Sequence, residues 1–257
     1  MCLILFLYDI RKDYRLVLGA NRDELYERWT APLDFWEESP DILAGRDLKG
    51  GGTWMGITRS GRFAALTNYR DPASLRANAP SRGELVSGFL RSRVSPSDYM
   101  EKLQSAGHRY NGFNLILGDR QDLFYYSNRG DGVQKLGPGL YGLSNRFLDT
   151  PWPKLEKGKA GFSQLGEQKE PDPEEIFHIL GDRSTAPDDQ LPETGVSREW
   201  ERMLSSMFIH SPVYGTRSSS ALLISQKGEV CFAERTFVPT GDGIKEEQTR
   251  SFRFFIR

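Results

Sequence analysis

Two stretches of this chain are apolar at every position: LILFLY at residues 3–8 and LVLGA at residues 16–20. A strand with one wet face alternates apolar and polar residues, because successive side chains point to opposite faces of the sheet. A strand apolar at every position must be buried on both faces. These stretches therefore predict central strands in a sheet that is covered on each side.

The spacing around them predicts antiparallel pairing. LILFLYDI and YRLVLGAN flank the polar turn RKD, and GGTWMGIT and RFAALTNY flank RSG. Both read as β-hairpins. Residues 82–106 read as helical, in two pieces. RGELVSGFLRSRV places Leu85, Phe89 and Leu90 on one face, and Ser95-Pro96 starts the second piece with proline at a favoured first position. Strands resume with NGFNLILGD, LFYYSNRG and LYGLSN. Residues 151–208 read as helical, interrupted by the polar loop DRSTAPDDQLPETG; SSSALLIS, EVCFAERTFV and SFRFFIR read as closing strands.

Strands thus come in adjacent pairs and helices in blocks, an α+β pattern without βαβ units. Antiparallel strands buried on both faces are satisfied by two stacked sheets covered by helices. The expectation is a four-layer α/β/β/α sandwich formed by residues 1–257 as a single domain.

Composition narrows the function classes. The chain has 257 residues, is 38% hydrophobic and 27% charged, and has a formal net charge of -1. That balance carries neither an electrostatic footprint for nucleic acid nor a polybasic membrane patch. Only Cys2 and Cys231 carry thiols, and no CxxC or HExxH occurs. The thiol count points to a reducing compartment, and no metal or cofactor is expected. The opening residues lack a basic n-region and a small-residue cleavage site, and the apolar run is too short to span a bilayer. The expected location is cytoplasmic.

Cys2 has two readings. Cysteine is often a buried small hydrophobe. Its position offers another. A small second residue permits removal of Met1, which would put a thiol and a free α-amine on one residue. The amine titrates near 7.7–8.0 and the thiol near 8.5, so the amine can accept the thiol proton. One residue then supplies nucleophile and base.

LGANRDEL at residues 18–25 bears on this. A hairpin turn centred on Lys12-Asp13 would set Cys2 opposite Asp23 and Ile4 opposite Asn21. Cys2, Asn21 and Asp23 would then share a face, with Arg22 and Glu24 turned away. A slip of one residue would destroy that cluster. Asn68 closes FAALTN, Asn145 closes YGLSN, and Arg217 opens the last strand block in YGTRSSS. Amides at strand ends suit an oxyanion, and an arginine there suits a substrate carboxylate or steadies the nucleophile.

The segments MCLILF, LGANRDELYERW, GGTWMGI, AALTNYRD, SRGELV, GHRYNGFNL, YGLSNRFLDTPWPKL and YGTRSSSALLI, in this order along the chain, resemble the NRDE (transport and Golgi organisation 2) family. That family in turn looks like the N-terminal nucleophile hydrolases of the bile-salt and penicillin V acylase type, whose αββα sandwich agrees with the layering above. The resemblance implies a cysteine amidohydrolase for an amide or thioester of a small hydrophobic acyl compound. It places the nucleophile on Cys2, the amine-contacting aspartate on Asp23, the two site asparagines on Asn68 and Asn145, and the distal arginine on Arg217. The acylases carry an arginine three residues before the aspartate, where this chain has Ala20. The family also implies roles in secretion, Golgi organisation, haem trafficking and acyl-lipid or coenzyme A homeostasis. A non-catalytic carrier of haem or acyl lipid is therefore the alternative. For haem, His108 at the start of a strand is the best histidine; Trp54 either packs in the core or walls an apolar acyl or aromatic pocket beside the site, and Asn21 is a candidate substrate contact.

Overall fold

The computed structural model describes residues 2–167, 170–240 and 243–257; Met1, whose removal the N-terminal chemistry requires, lies outside them. The chain groups into two compact units. The first takes the chain up to Glu27, then residues 138–144 and 148–254; the second takes residues 28–137, 145–147 and 255–257.

The first unit is a six-stranded sheet. Its strands are β1 (Cys2–Tyr8), β2 (Tyr14–Leu25), β10 (Gly139–Leu143), β11 (Tyr214–Ser225), β12 (Glu229–Thr240) and β13 (Gly243–Phe255), in the order β10-β1-β2-β11-β12-β13. The two apolar stretches form β1 and the middle of β2, and residues 3–8 and 16–20 are buried throughout. Leu3, Leu5, Leu7, Val17, Ala221 and Leu223 lie in one core cluster with Leu155, Phe162 and Leu165 of helix α3 (Pro153–Glu167) and Ile176, Phe177 and Leu180 of α4 (Pro173–Leu180). Helix and sheet approach closely at Gly19, where a Cβ would lie 2.6 Å from Ile176 Cγ2 and 2.8 Å from Phe162 Cζ. Asp172 caps α4 in a reciprocal capping box, with proline at the helix start. The polar loop expected after α4 is present, and α5 (Arg198–Leu204) follows it, capped by Ser197.

The second unit is a seven-stranded antiparallel sheet in sequence order. It runs β3 (Thr30–Trp36), β4 (Ser39–Asp47), β5 (Met55–Thr58), β6 (Phe63–Asn68), β7 (Phe113–Gly118), β8 (Leu123–Ser127) and β9 (Val133–Lys135). Helices α1 (Gly83–Arg91) and α2 (Pro96–Ala106) pack on it through Leu85, Val86, Phe89, Leu90, Met100 and Leu103. Ser95 caps α2 by accepting from the Asp98 amide at 3.1 Å.

The expected α+β class and the two antiparallel sheets are present. Strands β3, β4 and β9 go beyond the expected set. The β3–β4 pairing contains two register shifts, which break the alternation that marks a strand in sequence. The C-terminal strand begins at Gly243, well before SFRFFIR; its added residues are polar because it is the edge strand and largely exposed.

Candidate active site

The register of β1 on β2 decides what surrounds Cys2. Cys2 pairs with Arg22, Leu3 with Asn21, and Ile4 with Ala20. This corrects the expectation that Cys2 faces Asp23 and Ile4 faces Asn21. The connection is centred on Lys12 alone. Asp9 takes a positive φ of 51° and its amide donates to Arg15 O at 2.8 Å, which leaves residues 10–14 as an odd-numbered loop. The one-residue difference exchanges the faces.

Arg22 therefore stands on the face of Cys2 and is 5% exposed. Ala20 lies two residues before it on the same face, so Arg22 is the side chain that brings a guanidinium to this face. Its Nη2 lies 4.0 Å from Glu24 Oε2. Cys2 is half-buried as a residue. Its thiol is enclosed enough that desolvation pushes its pKa up; the Asp23 charge adds to this, while Arg22 and the Asp23 backbone amide oppose it. Ser144 Oγ donates to Cys2 O at 3.3 Å.

Asn21 and Asp23 occupy the helix-facing side. Asn21 Nδ2 donates to Leu180 O at 2.9 Å and Met207 O at 2.8 Å, and its Oδ1 accepts from Ser219 Oγ at 2.6 Å. The side chain thereby clamps β2 to the end of α4. Asp23 is 1% exposed, and Thr216 Oγ1 donates to its Oδ1 at 2.8 Å. Burial pushes the Asp23 carboxyl up, against the lowering pull of Lys154, Thr216 and Arg22. Lys154 is itself 4% exposed and donates to Leu204 O at 2.8 Å. Neither Lys154 nor Thr216 stood out in the sequence. The only signal was a lysine at the first turn of an otherwise apolar-faced helix.

Arg217 sits at an irregularity in β11. Thr216 pairs with Asp23 and Ser218 with Arg22, so Arg217 is the extra residue of a bulge. Its Nη1 donates to Leu25 O at 3.2 Å and Tyr26 O at 2.8 Å. Burial and the neighbouring Arg22 charge lower its pKa.

The remaining candidates belong to the second unit. Asn68 ends β6, and Asn145, fully buried, lies two residues beyond β10 rather than at its end. Asn145 Nδ2 donates to Asn68 O at 2.9 Å, and Asn145 O accepts from the Arg70 amide at 2.7 Å. Trp54 packs its ring over Gly45, where a Cβ would lie 2.5 Å from Cη2. His108 does not begin a strand. It is exposed in the 3-10 turn Gly107–Arg109, ahead of the strand that starts at Phe113, with its carbonyl accepting from Arg76 Nη2 at 2.9 Å. Among the described residues no group of three or more His, Cys, Asp or Glu side chains could hold a metal ion. No helix among them is long and apolar enough to cross a membrane.

A family model described as Transport and Golgi organisation 2 matches residues 1–239. The chain is 40% identical to a Transport and Golgi organization protein 2 homolog of Bos taurus, over 98% of this chain and 99% of that one. It is 38% identical to the homolog of Homo sapiens over the full length of both. Among solved structures, a mutant of conjugated bile acid hydrolase from Clostridium perfringens aligns with a TM-score of 0.52 at 11% identity, covering 99% of this chain and 97% of that one. At that identity the likeness is one of fold alone.

Proposed function

The chain belongs to the Transport and Golgi organisation 2 family, and for this member we propose an amidohydrolase that uses Cys2 as an N-terminal nucleophile. Its substrate is an amide or thioester of a small hydrophobic acyl compound. The observation that carries the reading is the pairing of Cys2 with a buried arginine on one sheet face, in a chain whose fold is like that of a conjugated bile acid hydrolase.

After Met1 is removed, the free amine of Cys2 takes the thiol proton. The thiolate attacks the substrate carbonyl carbon and a C–S bond forms. The bond to the leaving nitrogen or sulfur breaks, and the leaving group takes the proton from the ammonium. Water, deprotonated by the same amine, cleaves the thioester and releases the acid. Each group has a physical task here. Desolvation alone would hold the thiol protonated, and the Arg22 charge counters that cost. Asp23, at the strand end on the opposite side, holds the amine in place.

The test combines intact mass with covalent trapping. The purified protein should lack Met1, an electrophilic acyl probe should modify Cys2, and Cys2→Ala should lose both labelling at that position and turnover. A native chain that retains Met1, or a Cys2→Ala variant with full turnover, overturns the reading.

A further inference from the structure

The face of Cys2 carries one more side chain whose chemistry the hydrolase reading does not use. Ser218 pairs with Arg22 across β2 and β11, so Cys2, Arg22 and Ser218 form one rung on one face. Ser218 is 4% exposed, and its Oγ has no hydrogen-bond partner among the described residues. A buried hydroxyl without a partner costs about 1–3 kcal/mol, so such groups call for an explanation. The neighbouring hydroxyl of Ser219, one residue on and facing the helices, is by contrast satisfied: it donates to Asn21 Oδ1 at 2.6 Å.

The bulge puts Ser218 there. With Thr216 on Asp23, an unbroken ladder would set Arg217 opposite Arg22. The extra residue removes Arg217 from the ladder and brings the hydroxyl into the rung instead. Two arginines would repel across that rung; a serine and an arginine make a pair of donors. Two strand spacings separate Cys2 from Ser218, about 10 Å. Diagonally beyond lies Glu234, buried and paired with Ser220 one rung along. Arg22 faces Ser218 directly and Glu234 only diagonally, so the group that matches the hydroxyl is an oxygen acceptor.

We propose that Ser218 is a specificity-determining residue: its hydroxyl donates to a second carbonyl oxygen of the acyl substrate whose reactive carbonyl is held at Cys2. The substrate class is thus an acyl compound with a second oxygen acceptor about five to seven bonds from the scissile carbonyl, as the strand spacing sets it. The inference rests on the hydrolase reading and deepens it.

Two chloromethyl ketones of equal length test it. One carries an amide carbonyl about six bonds from the reacting carbon, a reach matched to two strand spacings; the other carries a methylene there. Labelling of Cys2 is followed by mass spectrometry in the wild type, Ser218→Ala, Ser218→Thr and Ser218→Val. The expected preference of the wild type for the amide probe is about five- to tenfold, the worth of one hydrogen bond. Ser218→Thr keeps it; Ser218→Ala and Ser218→Val lose it. Equal labelling by the two probes in the wild type, or a preference that survives in both hydroxyl-free variants, overturns the proposal. The nucleophile reading fails separately: amide substrates go unhydrolysed, or Cys2→Ala hydrolyses them, while the labelling preference persists. If neither probe labels Cys2 in the wild type, both fall together.

Discussion

Cys2 and Arg22 are direct partners across β1 and β2. Side chains directly opposed in an antiparallel pair lie within reach of each other, and here one is a thiol and the other a buried guanidinium. An adjacent positive charge stabilises the thiolate over the thiol.

Replacing Arg22 should therefore make Cys2 less reactive. Arg22→Met is expected to shift the alkylation profile of Cys2 to higher pH and to slow labelling at pH 8 about three- to tenfold, while Arg22→Lys keeps most of the rate. Iodoacetamide labelling across pH 6–10, read by peptide mass spectrometry, measures this. A profile unchanged in Arg22→Met would show that the pairing has no electrical consequence. In the wild type the midpoint should lie above the ordinary thiol value near 8.5, because burial is the largest influence on it.

Asn21 should matter for stability more than for chemistry. Asn21→Leu would strip Leu180 O and Met207 O of their donor and Ser219 Oγ of its acceptor. Each orphaned buried group costs about 1–3 kcal/mol, so a loss of about 3 kcal/mol or more is expected in urea unfolding. A loss within about 0.5 kcal/mol, the range of surface substitutions, would mean that β2 and α4 are held together by packing alone.

Asp23 links stability to pH with a definite sign. Its folded pKa lies above the unfolded value, so the folded state holds the proton more tightly. Its contribution is fully present below about pH 3.9 and is lost as pH rises through the folded pKa. Urea stability of the wild type relative to Asp23→Asn should fall over that window and then level off. A relative stability that rises with pH would give Asp23 the opposite linkage.

Gly19→Ala tests the helix–sheet contact. The new Cβ would press on Ile176 and Phe162, and overpacking of this kind costs about 1–3 kcal/mol. The melting temperature should drop by several degrees. An unchanged value would show that α3 and α4 ride loosely on the sheet.

Much of this architecture was legible in the residues. Unbroken apolar runs marked β1 and β2 as buried strands, Ser95-Pro96 marked the start of α2, and the polar stretch after Leu180 marked a loop. Strands β3 and β4 were not legible, because bulges scramble their alternation. Lys154 and Thr216 were not, because each meets Asp23 only through contacts distant in sequence. His108 looked like a strand opener and is a turn residue, since Tyr110 to Gly112 intervene before β7.

By itself the sequence determined which segments are central and which residues, above all Cys2, carry distinctive chemistry. It left open which of them meet. Burial cannot choose the register of a strand that is apolar on both faces, because a slip of one residue buries as much surface either way. Tertiary structure made that choice at two places: the odd loop closed by Asp9, and the bulge that lifts Arg217 out of the ladder. Together they place Arg22 and Ser218 in the rung of Cys2, and send Asn21 and Asp23 to the side of the helices.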